Sequence, residues 1–187
     1  MSDEHAMAGT HNSAGAPDRA APAMPWFAQN NVGRDFAVGD IHGCFTELQR
    51  GLDAIGFDTG TDRLFSVGDL VDRGPESHHA LRWLDKPWFH AICGNHDFMA
   101  WRNAVGQPCD EVDHLQHGGA WLLVLSDAER QEFGARLAAL PLAMEVETEQ
   151  GVVGLVHADC PYDDWLEMGR VPWHNIEAVS AVADCCL

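Results

Sequence analysis

The chain has 187 residues, of which 46% are hydrophobic, so it is long enough to fold around a substantial core. Its formal net charge of −18 argues against nucleic acid as a partner, because proteins that bind nucleic acid present basic surfaces. The apolar stretches are too short to span a bilayer and no signal-peptide pattern opens the chain, so we expect a cytoplasmic protein without a membrane partner.

The chain divides into two parts by composition. The first 33 residues are rich in alanine, glycine, proline and polar residues without periodicity, which is typical of a flexible tail. We therefore predict a tail over residues 1–33 and one folded domain over residues 34–187.

Strands alternate with helices in the first half of this domain, which indicates an α/β or mixed α/β class. The predicted elements, in chain order, are a strand at Asp35–Val38, a helix at Phe45–Ile55, a strand at Leu64–Val67, a helix at Glu76–Leu84, a strand at Phe89–Cys93, a helix beginning near Asn95, a loop at residues 107–119, a helix from the Ser126–Glu129 capping box to about Leu140, and a hairpin of Ala143–Thr148 with Val152–Val156.

Four of the predicted strands end at a cluster of polar residues. In α/β sheets, ligands bind beyond the carboxyl ends of the strands, so short loops there would bring the clusters together. The clusters are Asp40 with His42, Asp69 with Asp72 and Arg73, Asn95 with His96, and His157 with Asp159.

These residue types predict a metal centre that acts on phosphate. Carboxylate, imidazole and amide groups suit manganese, iron or zinc, and two such ions can clamp a phosphate and activate a water molecule. Asp69 could bridge the two ions, and Arg73 could bind phosphate oxygens through its guanidinium fork. His96 could protonate the leaving oxygen while Asp72 orients its ring. The five expected metal ligands are Asp40, His42, Asp69, Asn95 and His157.

Each of these residues, taken alone, also has a structural interpretation. Asp40 could be a turn residue, Asp69 and Asp72 could cap helices, and His96 could be a core histidine. Together these interpretations would leave the strand ends crowded with unpaired polar groups, which is costly without cations. We therefore favour the metal centre. The remaining histidines of the folded domain are interpreted as surface or packing residues: His78, His79, His90, His114, His117 and His174.

Four ordered motifs resemble the signatures of the phosphoprotein phosphatase superfamily of metallophosphoesterases. They are Gly39-Asp40-Ile41-His42-Gly43, Gly68-Asp69-Leu70-Val71-Asp72-Arg73-Gly74, Gly94-Asn95-His96-Asp97 and His157-Ala158-Asp159. The resemblance is strongest to the small bacterial and bacteriophage lambda-type serine/threonine protein phosphatases. It implies a calcineurin-like β-sandwich flanked by helices, a dinuclear site usually filled with Mn²⁺, and hydrolysis of phosphoserine, phosphothreonine or small phosphomonoesters by a metal-activated water.

The resemblance also implies a role for each matching residue. Asp40, His42 and Asp69 would hold the first metal, and Asp69, Asn95 and His157 would hold the second. Arg73 would bind phosphate, and His96 with Asp72 would form the acid pair. These roles agree with those inferred from the residue types alone.

The chain departs from the family pattern in three respects. It lacks the family's Gly-His-Thr and Trp-x-Arg segments, so we expect that the C-terminal part is missing and that a weakly active or inactive metal-binding remnant is one alternative. Asp97 stands where the protein phosphatases usually have glutamate. Symmetrical diadenosine tetraphosphatases, the other alternative, have aspartate there, but they usually lack an aspartate at the position of Asp72.

Overall fold

The computed structural model describes residues 24–107 and 111–170, which contain six strands and five α-helices. Short 3₁₀ helices precede α2, follow α4 and end the described chain. The strands are β1 (Trp26–Phe27), β2 (Asp35–Val38), β3 (Arg63–Ser66), β4 (Phe89–Ala91), β5 (Ala143–Thr148) and β6 (Gly151–Val156). The α-helices are α1 (Phe45–Ala54), α2 (Ala80–Leu84), α3 (Asn95–Ala104), α4 (Glu111–Gln116) and α5 (Asp127–Leu137).

The strands form two sheets of three strands each. In the first sheet, β2, β3 and β4 run parallel in that order, with Phe36 opposite Leu64 and Leu64 opposite Phe89. Parallel neighbours need crossover connections, and α1 and α2 lie in these connections. In the second sheet, β5 pairs with β1 in parallel and with β6 in an antiparallel hairpin.

The core has two parts because neighbouring residues of a strand point to opposite faces of the sheet. Phe65 packs with Ile92, Met144 and Val146 in the core that lies between the two sheets. Leu64, the preceding residue, belongs to a larger core that includes side chains of the helices, such as Phe45, Leu52 and Trp83. The fold is therefore a mixed α/β arrangement of two facing sheets with helices outside them, as predicted.

Several predicted elements are confirmed, including β2, the hairpin of β5 and β6, and the capping box before α5. Ser126 Oγ accepts a hydrogen bond from the Glu129 backbone N–H at 3.4 Å, and Glu129 Oε2 accepts one from the Ser126 backbone N–H at 2.8 Å. Strand β4 ends at Ala91, two residues before the predicted end at Cys93. It ends there because the backbone N–H of Cys93 turns to Pro141 O at 2.8 Å and leaves the β4 pairing.

Two predictions of irregular structure are corrected. Residues 107–119 are not entirely a loop, because Glu111–Gln116 form α4, whose six residues are too few to show a clear period. Residues 24–33 fall within the predicted tail, yet Trp26 and Phe27 form β1 opposite Glu145 and Val146. The predicted tail over residues 1–23 lies outside the described residues. None of the helices in the described ranges is long and apolar enough to cross a membrane.

Candidate metal centre

Three of the polar clusters meet because β2, β3 and β4 are parallel and end at the same edge of their sheet, whereas His157 follows β6 of the second sheet and reaches them by contact with Val67. The loops after β2 and β3 are joined there by backbone hydrogen bonds. Asp69 O accepts the N–H groups of Ile41 at 3.0 Å and of His42 at 2.8 Å, and Leu70 O accepts the N–H of Gly43 at 2.9 Å. These bonds hold the Asp40–His42 segment against the loop that carries Asp69.

Asp69 lies at the centre of the cluster and is 3% exposed. Its Oδ2 is 3.5 Å from His42 Nε2, whereas its Oδ1 is 3.5 Å from His157 Nε2. Asp40 completes the group, since its Oδ2 lies 3.7 Å from His42 Nε2 and the ligand atoms of Asp40, Asp69 and His157 lie within 4.8 Å of one another. The two oxygens of one buried carboxylate therefore face two different imidazoles.

The two imidazoles are oriented by backbone carbonyls on the loop that carries Asp69. His42 Nδ1 lies 3.0 Å from Val71 O, and His157 Nδ1 lies 2.7 Å from Val67 O. A carbonyl oxygen can only accept, so in each neutral ring Nδ1 carries the proton and Nε2 presents a lone pair to the cluster. Such outer hydrogen bonds are typical of metal-binding histidines.

The possible metal-ligand atoms of the cluster are arranged to bind a cation and not to hydrogen-bond with one another. His157 Nε2 is 3.1 Å from Asn95 Oδ1 and 3.5 Å from Asp69 Oδ1, so a lone pair on nitrogen faces two oxygens that cannot donate. Acceptors that are partly buried and placed face to face are unfavourable unless a positive charge lies among them. The residues present therefore suit divalent ions.

Arg73 brings a positive charge to the same cluster. Its Nη1 lies 2.7 Å from His42 Nε2, and its side chain is exposed at the surface. Gly118, which has a positive φ of 99°, packs closely on Arg73, because a Cβ there would lie 2.4 Å from the backbone nitrogen of Arg73. Gly118 therefore restrains the backbone of Arg73, and the guanidinium lies beside His42 at the exposed side of the cluster.

Asp72 is fully buried and accepts hydrogen bonds from three ring N–H groups. His96 Nδ1 lies 2.8 Å from its Oδ2, and Trp121 Nε1 lies 2.6 Å from its Oδ1. His114 Nε2 lies 3.0 Å from Oδ2 and 3.1 Å from Oδ1. Burial alone would raise the pKa of Asp72, but the bonds from His114, His96 and Trp121 outweigh it and lower the pKa below its usual value.

His96 lies between this buried carboxylate and the metal cluster. Its ring is 1% exposed and meets the ring of His42 edge to face at a centroid distance of 4.7 Å. His42, Asp69 and His96 offer ligand atoms within 4.8 Å of one another, so His96 borders the cluster directly. Because its Nδ1 is committed to Asp72, only Nε2 remains for contact with a substrate or an ion.

His114, interpreted as a surface or packing residue, is buried and also contacts the predicted site. Its ring is 2% exposed and bonds to Asp72, because α4 and the following turn bring it under Gly119. The one available sequence signal was its proximity to the Gly118-Gly119-Ala120-Trp121 segment, which also supplies Trp121. A six-residue helix does not reveal from its pattern which of its side chains points inward.

The other histidines of the described chain agree with their interpretation. His78 and His117 are exposed, although the ring centroid of His117 is 6.1 Å from that of His96. His79 is partly buried, and His90 packs against the rings of Phe27 and Phe65. His174 lies outside the described residues.

Asp97 was missed as a residue that builds the site. It is completely buried, and its Oδ1 and Oδ2 accept the backbone N–H groups of Leu70 and Gly94, each at 3.0 Å. It therefore joins the loop of Asp69 to the start of α3, where Asn95 and His96 lie. Burial and then the negative charge of Asp69 raise the pKa of Asp97 well above its usual value.

The backbone is strained at this site. Among the described residues, the non-glycine positions with positive φ are His42 (44°), Asp69 (52°), Asp72 (70°) and Arg73 (64°). Such conformations are uncommon for residues with a Cβ and persist where the surrounding structure enforces them. All four belong to the predicted site, so the strain coincides with the residues that the motifs singled out.

Comparison with known proteins gives one consistent family. The family model described as calcineurin-like phosphoesterase matches residues 36–176. The chain is 38% identical over 134 residues to serine/threonine-protein phosphatase 2 of Escherichia coli (strain K12), an alignment that covers 70% of this chain and 61% of the relative. It is 36% identical over 151 residues to the symmetrical bis(5'-nucleosyl)-tetraphosphatase of Methylococcus capsulatus, covering 80% of this chain and 51% of that relative.

The solved structures agree with this result. One described as "Crystal structure of a putative diadenosine tetraphosphatase" superposes with a TM-score of 0.57 at 28% identity and covers 77% of this chain and 59% of that one. A serine/threonine phosphatase from Saccharomyces cerevisiae superposes with a TM-score of 0.50 at 21% identity, covering 75% of this chain and 43% of that one, and supports the fold alone. The chain spans about half to two thirds of the length of the curated relatives described above.

Proposed function

The chain belongs to the calcineurin-like phosphoesterase family, and from this premise we propose that it removes phosphate from phosphoserine and phosphothreonine side chains. Family membership implies a phosphoester hydrolase that uses divalent metal ions. Beyond this, we propose that the substrate is a phosphoprotein, that the metal is Mn²⁺, with iron or zinc as alternatives, and that the protein acts in the cytoplasm. The matched relatives include both protein phosphatases and tetraphosphatases, so the substrate is the part that needs an experiment.

In this proposal the metal pair is held by two ligand sets that share Asp69. Asp40, His42 and Asp69 would hold one ion, and Asp69, Asn95 and His157 would hold the other. The support is that the two oxygens of Asp69 face His42 and His157 separately, each at 3.5 Å from Nε2. When bound, such an ion pair supplies positive charge to the phosphate and acidifies water at neutral pH.

The remaining side chains have complementary tasks. Arg73, at the exposed side of the cluster, binds two phosphate oxygens through its planar guanidinium. His96, as the imidazolium, donates its Nε2 proton to the serine or threonine oxygen as the phosphorus–oxygen bond breaks. Asp72 accepts the Nδ1–H of His96 at 2.8 Å, which keeps the ring in one orientation and stabilises its positive charge.

The observation that carries the choice of substrate is the buried Asp72–His96 pair. An aspartate at position 72 is usual in the protein phosphatases that the motifs resemble, and it is usually lacking in the symmetrical tetraphosphatases. A serine or threonine oxygen is a poor leaving group, so a protein phosphatase needs an acid at this position. The alternative substrate, diadenosine tetraphosphate, is favoured by Asp97 and by the TM-score of 0.57 to the structure named above.

A comparison of two substrates tests the proposal. We expect the protein loaded with Mn²⁺ to hydrolyse a phosphoserine peptide with a higher kcat/KM than diadenosine tetraphosphate, because the buried Asp72–His96 pair provides the acid that a serine leaving group requires. Removing the metal with EDTA should abolish turnover, and adding Mn²⁺ back should restore it. A higher kcat/KM for diadenosine tetraphosphate would contradict the proposed substrate. No turnover of either with Mn²⁺, Fe²⁺ or Zn²⁺ would instead favour the metal-binding remnant.

A further inference from the structure

Asp72 has a second histidine partner that the proposed chemistry does not use. His114 Nε2 lies 3.0 Å from Oδ2 and 3.1 Å from Oδ1, so its N–H group is shared between the two carboxylate oxygens. His114 comes from α4, on a different part of the chain from His96 in α3. The two rings therefore approach one buried carboxylate from two separate elements.

We propose that His114 is a positioning residue for the acid pair, holding the Asp72 carboxylate in the orientation from which it orients His96. This inference rests on the proposed function, because it assigns His114 a part in the same proton transfer. His114 itself would contact neither the substrate nor the metal ions. It would act through Asp72.

The geometry explains why a second partner is needed. A carboxylate can turn about the bond to its Cβ, and this torsion is broad and weakly restrained in the absence of contacts. The bond from His96 restrains Oδ2 alone, at 2.8 Å. His114 touches both oxygens and Trp121 Nε1 contacts Oδ1 at 2.6 Å, so together they restrain rotation of the group.

Other contacts fix the backbone of Asp72 and the ring of His114. The backbone N–H of Asp72 donates to Ser77 Oγ at 2.9 Å, which anchors the strained turn at φ 70°. The ring of His114 packs directly on Gly119, because a Cβ at residue 119 would lie 2.4 Å from His114 Cε1. A proton transfer requires that the reacting groups be held within about 0.5 Å of the productive geometry, and such outer contacts provide this restraint.

His114 also borders a cavity of about 250 Å³ that is lined in part by Leu115, Leu122 and Arg130. The cavity provides room beside the ring, so a side chain of similar size can replace histidine without overpacking the core. Glutamine keeps an N–H donor at about the reach of Nε2, whereas phenylalanine keeps the ring and removes the donor. These two substitutions therefore separate the hydrogen bond from the packing.

The experiment compares a poor and a good leaving group. We expect His114→Phe to lower kcat for a phosphoserine peptide about 10- to 100-fold with little change in KM, which is typical for loss of an outer-shell partner. The loss for p-nitrophenyl phosphate should be much smaller, because nitrophenolate leaves without a proton. His114→Gln should retain most of the activity on both substrates. His90→Phe, the same replacement at a half-buried histidine between aromatic rings, should leave the ratio of the two kcat values unchanged.

A second measurement does not depend on turnover. In protein labelled with ¹⁵N, the Nδ1–H of His96 should give a downfield proton signal that is assigned by its loss in His96→Asn. We expect His114→Phe to shift or broaden this signal, and His114→Gln and His90→Phe to leave it in place. This readout reports the orientation of the carboxylate directly, because the bond between Asp72 and His96 sets the signal.

The outcomes separate the two proposals. Equal losses on both substrates in His114→Phe, or the same loss in His114→Gln, would overturn the positioning role while leaving the phosphatase proposal intact. An unchanged His96 signal in His114→Phe would overturn it as well, whether or not the wild type turns over substrate. A wild type that is inactive on both substrates would contradict the proposed function, and the ¹⁵N experiment would still decide the role of His114.

Discussion

At the residue scale, Asp69 and His96 illustrate how neighbours in one buried cluster can have separable tasks. Asp69 faces His42 and His157 through different oxygens, whereas His96 commits one nitrogen to Asp72 and turns the other towards the cluster. The backbone N–H of His96 also donates to Asp69 Oδ1 at 3.0 Å. The two residues are therefore in contact, yet they are expected to respond differently to substitution.

We expect Asp69→Asn to weaken Mn²⁺ binding at both positions by about 10- to 100-fold or more, because one shared carboxylate charge is lost. We expect His96→Asn to leave Mn²⁺ binding nearly unchanged and to lower kcat by about 10²- to 10⁴-fold, the usual contribution of a general acid. Isothermal titration calorimetry measures the first effect, and turnover of a phosphoserine peptide measures the second.

The amide oxygen introduced by Asp69→Asn could still accept the N–H bond from His96, so loss of metal in that variant would reflect the charge and not the fold. A similar loss of Mn²⁺ affinity in both variants would show that His96 is a metal ligand. That result would contradict its assignment as the acid, since His96 could then not present a free Nε2 to the leaving oxygen.

At the element scale, the loops after β3 and β4 are packed against each other with almost no free space. A Cβ on Gly94 would lie 2.2 Å from Asp69 Oδ1 and 2.5 Å from the Asp69 backbone nitrogen. Gly94 has a φ of −92°, which any residue can adopt, so its glycine is required by this close approach and not by its conformation. Asp97 joins the same two loops through the N–H groups of Leu70 and Gly94.

We therefore expect Gly94→Ala to displace Asp69, to lower stability by about 1–3 kcal/mol and to reduce Mn²⁺ affinity. Thermal unfolding and calorimetry measure the two effects. Gly51→Ala is the matched control, because its Cβ would meet no atom within 4 Å and helix α1 should gain up to about 1 kcal/mol. Unchanged Mn²⁺ affinity in Gly94→Ala would show that this close contact does not position Asp69.

The elements also show what the sequence could and could not predict. The strands that precede Asp40, Asp69 and Asn95 were predictable, because buried strands have a clear apolar pattern and the polar clusters follow within a few residues. The contact of His114 with Asp72 was not, because it joins residues that are 42 apart through α4, a helix of six residues. The prediction that two sheets face each other depended on the family resemblance, since alternation of strands and helices alone does not specify a second sheet.

At the scale of the whole molecule, the ion pair of Arg34 and Asp62 helps to join the starts of β2 and β3. Asp62, which precedes β3 and is 4% exposed, accepts the backbone N–H of Arg34 at 2.7 Å and its Nη2 at 2.6 Å. The backbone N–H of Asp58 adds a further bond at 3.0 Å. The Arg34 guanidinium, followed by the Asp58 N–H, holds the pKa of Asp62 far below its usual value.

This lowered pKa predicts how stability depends on pH. The unfolded chain protonates Asp62 near pH 4, whereas the folded chain keeps it ionised, so its contribution is complete above that pH and is lost as the pH falls. We expect Asp62→Asn to lower the free energy of unfolding at pH 7, and the difference from wild type to shrink below about pH 4. Urea unfolding between pH 3 and 7 measures this difference.

Asp53→Asn is the control, because Asp53 is an exposed carboxylate on α1 whose Oδ1 accepts a hydrogen bond from Gln49 Nε2. Its free energy of unfolding should stay close to that of wild type across the same range. A difference between Asp62→Asn and wild type that is constant from pH 3 to 7 would contradict the assigned role of the Asp62 charge.

The left-handed backbone at His42, Asp69, Asp72 and Arg73 lowers the stability of the fold at the residues that form the proposed site. Each such conformation costs about 1 kcal/mol or more for a residue with a Cβ, and glycine would relieve it. A search for thermostabilising substitutions guided by backbone angles would select these four positions first. The more heat-resistant protein obtained in that way would have lost the side chains proposed here to hold metal, phosphate and the proton-donating histidine.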